Sequence, residues 1–347
     1  MSSYVPSSAA WAESGPEEVA DGIFRIPLPL PNDALRAVNA YLWRTGAGDL
    51  LIDCGWADAR TWDALVSSLS RLGSSIASIR QVFATHVHGD HLGSAARIRE
   101  AGRALVLLGL GDRETAELLA TNPALARRRT RARQLRHGAS GLVRALDQEA
   151  EANAYIPRPG PLPDIFISGG ELLVAGRRVA LLPTPGHTRG HLCLWDEAEG
   201  ILFAGDHVLP HITPSIGVEV PDGGLPLLHF LRSLELVKEL PARLVLPAHG
   251  PTFTDLGQRV DQLLEHHRDR LRLCREAILS GLRTAAEVAE ALPWTRRERR
   301  LVDLDLFNQM LAVNETAAHL ELLAERGDLS LEMSDLGVEF RPVAGPG

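Results

Sequence analysis

The strongest chemical signal in this 347-residue chain is one short segment. Thr85-His86-Val87-His88-Gly89-Asp90-His91 places three imidazoles and a carboxylate within six residues, directly after a predicted buried strand. Imidazole and carboxylate ligands together favour zinc or a similar first-row metal ion. A solvated histidine-rich turn is the alternative, but the complete H-x-H-x-D-H pattern favours a metal site.

Three single residues later in the chain strengthen this interpretation. His187, Asp206 and His249 each follow an apolar strand and lie in a glycine-containing turn. Each of them alone is more typical of a structural histidine or a turn aspartate. Their recurrence at strand ends, in order after the first cluster, predicts that they belong to the same site.

Alternating strands and helices are predicted to position these residues. The first half contains the predicted strands 23–26, 40–43, 50–53 and 82–84, with a helix over 59–72 that ends before Gly73. The second half contains the predicted strands 172–174, 178–182, 192–196, 201–204 and 244–246. This alternation indicates a layered α/β domain.

Helical segments interrupt and follow these strands. Residues 112–163 form a predicted insert of two or three helices, broken at Pro123 and near 138–141, with a proline-rich return over 157–163. Beyond Pro251 the pattern predicts helices over 258–280, 285–292 and 299–326, a capping box at Thr284 and Glu287, and a hairpin over 329–342. We therefore predict an N-terminal tail (1–21), a main domain (22–257) and a separate C-terminal domain (258–347).

Residues 22–253 resemble the metallo-β-lactamase superfamily of metallohydrolases. The matching segments are Leu51-Ile52-Asp53-Cys54-Gly55, the motif over 86–91, the turn at His187, Gly205-Asp206-His207 and Ala248-His249-Gly250. The resemblance implies an αββα sandwich, and the C-terminal region resembles the winged-helix-like domain attached to some members. It also implies two Zn²⁺ ions, with Fe or Mn as alternatives. The first metal would bind His86, His88 and His187, the second Asp90, His91 and His249, and Asp206 would bridge them.

The implied chemistry is attack of a metal-bridging hydroxide on an ester-like carbonyl. Asp90 is the predicted catalytic residue, because it can hydrogen-bond the attacking water while it binds the metal. By resemblance, Asp53 supports the histidine loop as a hydrogen-bond acceptor, although an ordinary strand-end aspartate is an equal alternative.

The ligand set resembles that of glyoxalase II rather than that of β-lactamases with a cysteine ligand, because Cys54 and Cys193 do not match that cysteine's position. The usual basic glutathione contacts are replaced here by His207-Val208-Leu209-Pro210-His211-Ile212, which places glutathione itself in doubt. His207 and His211 either line the substrate pocket or serve packing. We expect a thioesterase, with a lactonase, an RNA or phosphodiester nuclease, a two-iron redox protein and a non-enzymatic partner-binding protein as alternatives.

A dense run of arginines over 127–136 lies in the insert and includes Arg128 and Arg131. It is either a solvated helix face or a cap that binds the phosphate of a small-molecule acyl substrate linked to CoA or to a carrier protein.

Composition excludes several other classes of protein. Apolar residues make up 45% and charged residues 23%, which is typical of a globular chain. The 36 Lys and Arg against 44 Asp and Glu give a net charge of −8, and residues 258–347 hold 12 arginines against 16 acidic residues, so nucleic-acid binding is disfavoured. Three scattered cysteines and the lack of a signal-peptide or membrane-spanning pattern predict a cytoplasmic protein without membrane contact. A homodimer is left open.

Overall fold

The computed structural model describes residues 10–31, 35–152, 162–219, 224–295, 297–334 and 337–343. Its strands are β1 (Glu17–Ala20), β2 (Ile23–Pro29), β3 (Ala37–Trp43), β4 (Asp49–Ile52), β5 (Ile79–Phe83), β6 (Leu105–Gly109), β7 (Ile165–Ile167), β8 (Gly170–Val174), β9 (Arg177–Pro183), β10 (Leu192–Asp196), β11 (Ile201–Gly205), β12 (Leu244–Pro247), β13 (Leu329–Ser334) and β14 (Gly337–Pro342). Its α-helices are α1 (Ala10–Glu13), α2 (Ala59–Arg71), α3 (Gly89–Leu92), α4 (Ala95–Gly102), α5 (Arg113–Thr121), α6 (Pro123–Arg136), α7 (Ser140–Ala152), α8 (Pro226–Lys238), α9 (Leu256–Leu279), α10 (Ala285–Ala291) and α11 (Leu306–Glu325).

Two mixed sheets form the centre of the fold. The first has the strand order β1-β2-β3-β4-β5-β6-β7 and the second has the order β12-β11-β10-β9-β8. β4 to β7 run parallel to one another, and β11 runs parallel to β12. The small sheet of β13 and β14 is a separate antiparallel hairpin.

Large apolar side chains fill the space between the two sheets. Tyr41 and Trp43 of β3 each contact the ring of Phe203 on β11, with ring centroids 5.6 Å apart. The outer face of the first sheet packs against α2 and α4 through Leu65 and Ile98. Helices therefore cover the first sheet on the side that faces away from the second.

The outer face of the second sheet shares one hydrophobic cluster with the C-terminal elements. This cluster joins Leu202 of β11 to Phe230 of α8, Leu263 of α9 and Leu320 of α11. The insert reaches the same helices, because α6 and α7 both contact α11. The result is an αββα sandwich in which α8 to α11 form the second helical layer.

The sequence predicts most of these elements. The helices of the insert break at Pro123 and around Gly138, as expected, and the hairpin over 329–342 is confirmed. The proline-rich return falls partly outside the described residues. No helix within the described ranges combines the length and the apolar character needed to cross a bilayer.

Several elements differ from the prediction. β1 pairs with β2 inside the segment predicted as an N-terminal tail, and β6, β7 and α8 were not predicted. The predicted helix over 299–326 is instead a short 3-10 turn (Leu301–Asp303) followed by α11, because the side chain of Asp305 accepts a hydrogen bond from Asn308 N and starts a new helix there. The winged-helix-like nature of the C-terminal region stays a prediction.

Candidate active site

The predicted metal ligands lie at one end of the sandwich. β5 leads into the segment 86–91, and β9, β11 and β12 lead to His187, Asp206 and His249 respectively. The carboxyl ends of parallel strands meet at one edge of a sheet, and side chains that follow them can converge on a common point. The structure brings all seven predicted ligands together there.

His86, His88 and His187 form the first group of ligand atoms. His88 Nδ1 lies 2.9 Å from His86 Nε2 and 3.0 Å from His187 Nε2. The three rings meet edge to face, with centroids 4.5 to 4.8 Å apart. Three imidazole nitrogens this close together form a compact set of donors for a metal ion.

Asp90, His91 and His249 form the second group. Asp90 Oδ2 lies 3.5 Å from His91 Nε2 and 3.3 Å from His249 Nε2. Asp90 and His88 keep some solvent exposure, whereas His91 is completely buried. The open side of the site is therefore the edge formed by residues 88–90.

Asp206 lies between the two groups. Its Oδ2 is 3.5 Å from His187 Nε2 in the first group, and its Oδ1 is 3.4 Å from His249 Nε2 in the second. The turn before it depends on Gly205, which has a φ of +50°, and a Cβ there would lie 2.6 Å from His191 Nε2. Any larger residue would push the strand end that carries Asp206 away from the site.

Hydrogen bonds on the far side of each ring set the orientation of three ligands. His187 Nδ1 donates to the carbonyl of Ser215 at 2.7 Å, and His249 Nδ1 donates to the carbonyl of Ala37 at 2.9 Å. His91 Nδ1 lies 2.8 Å from Asp53 Oδ2. Because each Nδ1 is used in this way, each Nε2 is the ring nitrogen left to bind a metal ion in the site.

Several of these inward-facing atoms are buried and have no hydrogen-bond partner among the described residues. They are His91 Nε2, His249 Nε2 and Asp206 Oδ1. A buried polar atom without a partner costs about 1–3 kcal/mol, and a metal ion removes this cost by accepting the lone pairs. The residues therefore fit the donor set of a divalent first-row ion.

The charges of the site also favour cation binding. Burial lowers the pKa of His249, but the carboxylates of Asp206 and Asp90 outweigh burial and raise it to about 10. Burial likewise lowers the pKa of His91, and Asp53 and the other carboxylates raise it well above its usual value. The carboxylates thus create a strongly negative environment that stabilises added positive charge.

Asp53 occupies a strained position beneath the histidine loop. It has a φ of +58°, in the left-handed region that non-glycine residues rarely adopt. Its carboxylate accepts hydrogen bonds from Thr85 N at 2.8 Å and Thr85 Oγ1 at 3.1 Å, and contacts His91 Nδ1. The structure thus places Asp53 where the support role requires it.

Asp112 is a positioning residue that the sequence did not reveal. Its buried carboxylate accepts hydrogen bonds from Val87 N at 2.9 Å, Gly190 N at 2.7 Å and Thr188 Oγ1 at 3.0 Å. It therefore holds the loop of His86 against the loop of His187. The sequence marks only its place at the start of the insert, because the three donors come from two distant parts of the chain.

The predicted substrate contacts are spread over different environments. His207 is fully buried and its ring packs on Phe230 at 5.1 Å, a position that favours the packing role over a substrate contact. His211 is half-buried, Arg128 is exposed on α6, and Arg131 on the same helix pairs with Asp147 at 2.8 Å. None of the four belongs to the groups of ligand atoms found among the described residues.

A comparison with protein-family models matches residues 33–249 to the metallo-beta-lactamase superfamily. This match covers more than half of the chain and includes every predicted ligand. The chain belongs to this superfamily. It is a hydrolase of a superfamily whose members usually bind metal ions, and its histidine and aspartate groups are arranged to hold them.

Relatives and solved structures agree with this assignment. The chain is 25% identical over 308 residues to a Caenorhabditis elegans protein named beta-lactamase-like protein 2 homolog, covering 88% of this chain and 82% of that protein. It is 28% identical over 271 residues to an Aspergillus fumigatus atrochrysone carboxyl ACP thioesterase, covering 74% of this chain and 69% of that protein.

Two solved structures extend the likeness over nearly the whole chain. A metallo-beta-lactamase family protein from Thermus thermophilus is 29% identical with a TM-score of 0.78, covering 94% of this chain and 100% of that chain. A beta-lactamase domain protein from Burkholderia ambifaria is 27% identical with a TM-score of 0.81, covering 98% of this chain and 96% of that chain. Coverage this high means that the alignment extends beyond residue 249.

Proposed function

We propose that this hydrolase uses two metal ions to cleave a thioester whose acyl group is carried by CoA or by a carrier protein. The observation that carries the two-metal proposal is the position of Asp206. Its two carboxylate oxygens face different groups, Oδ2 towards His187 and Oδ1 towards His249. Seven ligand side chains are too many for one tetrahedral ion, and a carboxylate between two groups is suited to bridge a pair.

The first ion would be held by His86, His88 and His187, and the second by Asp90, His91 and His249. The nitrogen and oxygen donors favour zinc, with iron or manganese as alternatives. The chemistry that two such ions supply is polarisation of a carbonyl group and a lower pKa for a water molecule.

Asp90 is placed to accept a proton from the attacking water. Its side chain is 16% exposed and lies on the open edge of the site, whereas the side chains of His91 and His249 are almost completely buried. Its carboxylate accepts the proton as the water oxygen bonds to the thioester carbon. The carbon–sulfur bond then breaks, the thiol leaves with a proton, and a carboxylic acid remains.

Two observations support a thioester as the substrate. One relative, 28% identical, is named an atrochrysone carboxyl ACP thioesterase. Within the chain, α6 presents Arg127 and Arg128 to solvent, and guanidinium groups bind the phosphates of CoA or of a carrier's prosthetic arm.

A cytoplasmic location is part of the same proposal. Cys54, Cys193 and Cys274 are all buried and unpaired. Burial raises the pKa of both Cys193 and Cys274 to about 12, so these thiols are protonated and unreactive. Such thiols persist in a reducing compartment.

The test is thiol release from a panel of acyl-CoA, acyl-carrier and acyl-glutathione thioesters by zinc-loaded protein. We expect release that is lost in His88→Ala and in Asp206→Ala and kept in His229→Ala, which removes an exposed histidine of α8 that is not a predicted ligand. We also expect the double variant His88→Ala/Asp206→Ala to hold two zinc ions fewer than the wild type. Absence of thiol release from fully metal-loaded protein would overturn the thioester assignment and direct the search to lactones and then to RNA.

A further inference from the structure

A second cluster of metal-binding side chains lies between α9 and α11, outside the active site. One ring nitrogen each of His266 and His267 and one carboxylate oxygen of Glu315 lie within 4.8 Å of one another. The ring of Phe230 separates this cluster from His207, with centroid distances of 5.1 Å to His207 and 5.4 Å to His267. The cluster is therefore a distinct site behind the second sheet.

A chain of hydrogen bonds fixes the tautomer of His267. His319 Nδ1 lies 2.7 Å from the carbonyl oxygen of Glu315, which can only accept, so this nitrogen carries the hydrogen. His319 Nε2 then accepts from His267 Nδ1, 3.1 Å away. His267 Nε2 is left with a lone pair, and it is buried without a hydrogen-bond partner among the described residues.

The imidazoles of His267 and His319 both stay neutral, so the lone pair of His267 Nε2 is available to a metal ion. Burial lowers the pKa of His319 to about 4 and lowers that of His267 well below its usual value. Metal-binding histidines commonly have one ring nitrogen held by such a hydrogen bond, which leaves the other free to bind an ion.

Glu315 supplies a buried negative charge to the cluster. Its side chain is only 12% exposed, and its carboxylate lies 4.0 Å from His266 Nε2. Burial raises its pKa, but the contact with His266 and the nearby groups, including the Arg270 guanidinium, outweigh burial and lower it to about 2. The carboxylate is thus ionised at neutral pH and can serve as a metal ligand.

The distance between the two imidazole rings of this cluster is similar to the ring distances in the active site. The His266 and His267 rings are 5.2 Å apart, between the 4.7 Å of His88 and His187 and the 5.7 Å of His91 and His249. Ligand atoms around a tetrahedral zinc ion lie about 3.4 Å apart, since each bond is about 2.0–2.2 Å long. His266 Nε2 lies 4.0 Å from Glu315 Oε1, close to this spacing, and the His266 side chain is 40% exposed and so is not locked by packing.

We propose that His266, His267 and Glu315 bind one Zn²⁺ ion, with solvent in the remaining coordination position. Arg270, one turn further along α9, is held away from ligand contact, because its guanidinium lies 4.2 Å over the ring of Trp294 and donates to the carbonyl of Pro293, although its charge still reaches Glu315. The ion links α9 to α11 and so fastens the outer helical layer on which the second sheet packs.

The test measures zinc per chain by elemental mass spectrometry after dialysis, in the wild type and in three variants. We expect His266→Ala and Glu315→Gln each to hold one ion fewer than the wild type, and His229→Ala to hold the same number. Glu315→Gln keeps the shape of the side chain, so it preserves the packing of α11 if His266→Ala perturbs the helix.

The difference in zinc content between the wild type and the cluster variants does not depend on thioester cleavage or on the number of ions at the active site. The melting temperature should also rise less on addition of zinc in His266→Ala than in His229→Ala, since binding to the folded state stabilises it. Equal zinc content in the wild type and both cluster variants would overturn the proposal.

Discussion

Asp53 Oδ2 lies 2.8 Å from His91 Nδ1, directly beneath the histidine loop. The same carboxylate accepts two hydrogen bonds from Thr85, so one side chain holds both the start and the end of the loop. Asp53→Asn keeps the size of the side chain but weakens the acceptor for His91. We expect zinc affinity or hydrolytic rate to fall about 10–100-fold, the usual effect of removing such a partner.

Zinc titration of the metal-free protein and steady-state thiol release would measure this effect. Asp49→Asn is the matched control, because Asp49 begins the strand after which Asp53 comes and accepts a hydrogen bond from Ser74 at 2.7 Å, away from the loop. If Asp53→Asn behaves like Asp49→Asn, Asp53 is only a turn residue.

Glu219 gives the protein a pH-dependent stability. Burial and the neighbouring Asp112 carboxylate together raise the pKa of Glu219 to about 8, although Arg189 N donates a hydrogen bond to it at 2.7 Å. Between the ordinary pKa of 4.5 and about 8, the folded protein keeps a proton that the unfolded chain releases. Stability therefore declines as the pH rises through this window.

Glu219→Gln removes this titration. The melting temperature of the variant minus that of the wild type should become more positive from pH 5 to pH 9. The change should be about 2 °C or more, equivalent to about 1 kcal/mol. Thermal unfolding followed by circular dichroism measures the difference, with the exposed Glu197→Gln as control. A constant difference across this pH range would show that Glu219 is ionised in the folded state.

The exposed arginines of α6 are expected to bind a phosphate-bearing substrate. Arg131 pairs with Asp147, whereas Arg127 and Arg128 point to solvent. The double variant Arg127→Gln/Arg128→Gln should raise KM for acyl-CoA about three- to tenfold and leave kcat unchanged, because the contact lies away from the reacting atoms. Arg60→Gln/Arg103→Gln, which removes two exposed arginines outside the insert, should leave KM as it is. An unchanged KM in both double variants would mean that the arginines of α6 form a solvated helix face and do not bind the substrate.

The start of α10 depends on a reciprocal cap. Glu287 N donates to Thr284 Oγ1 at 3.3 Å, and Thr284 N donates to Glu287 Oε2 at 2.9 Å. Thr284→Ala should reduce the free energy of unfolding by about 1 kcal/mol, and Thr284→Ser should preserve it. Urea unfolding would measure both, and equal losses in the two variants would indicate a packing effect of the Thr284 methyl group instead.

Local signals in the sequence were sufficient for most of the secondary structure. The cap at Thr284, the break at Pro123 and the glycine after α2 are short-range features, and each appears where it is predicted. β1, β6 and β7 are short and carry no clear alternation, so their assignment depends on pairing with neighbours in the sheet. α8 follows a long loop, and its apolar face is defined only by the second sheet on which it packs.

The ligand set was visible in the sequence because metal binding demands particular residue types. Histidines and aspartates at strand ends have few other reasons to recur, and the seven predicted ligands do converge. His207 follows Asp206 directly, yet its ring turns into the core against Phe230. Sequence proximity to a ligand therefore did not determine which way a side chain faces.

The donor types, the bridging position of Asp206, the alternation of strands and helices and hence the layered fold could all be predicted from the sequence, because residue chemistry, short-range periodicity and family resemblance are visible there. The contacts that tie two loops together at Asp112, and the approach of His267 to Glu315 across α9 and α11, became visible only in the folded chain. These contacts join residues far apart in the chain. Their geometry depends on how the sheets and helices pack, and no local pattern in the sequence encodes that packing.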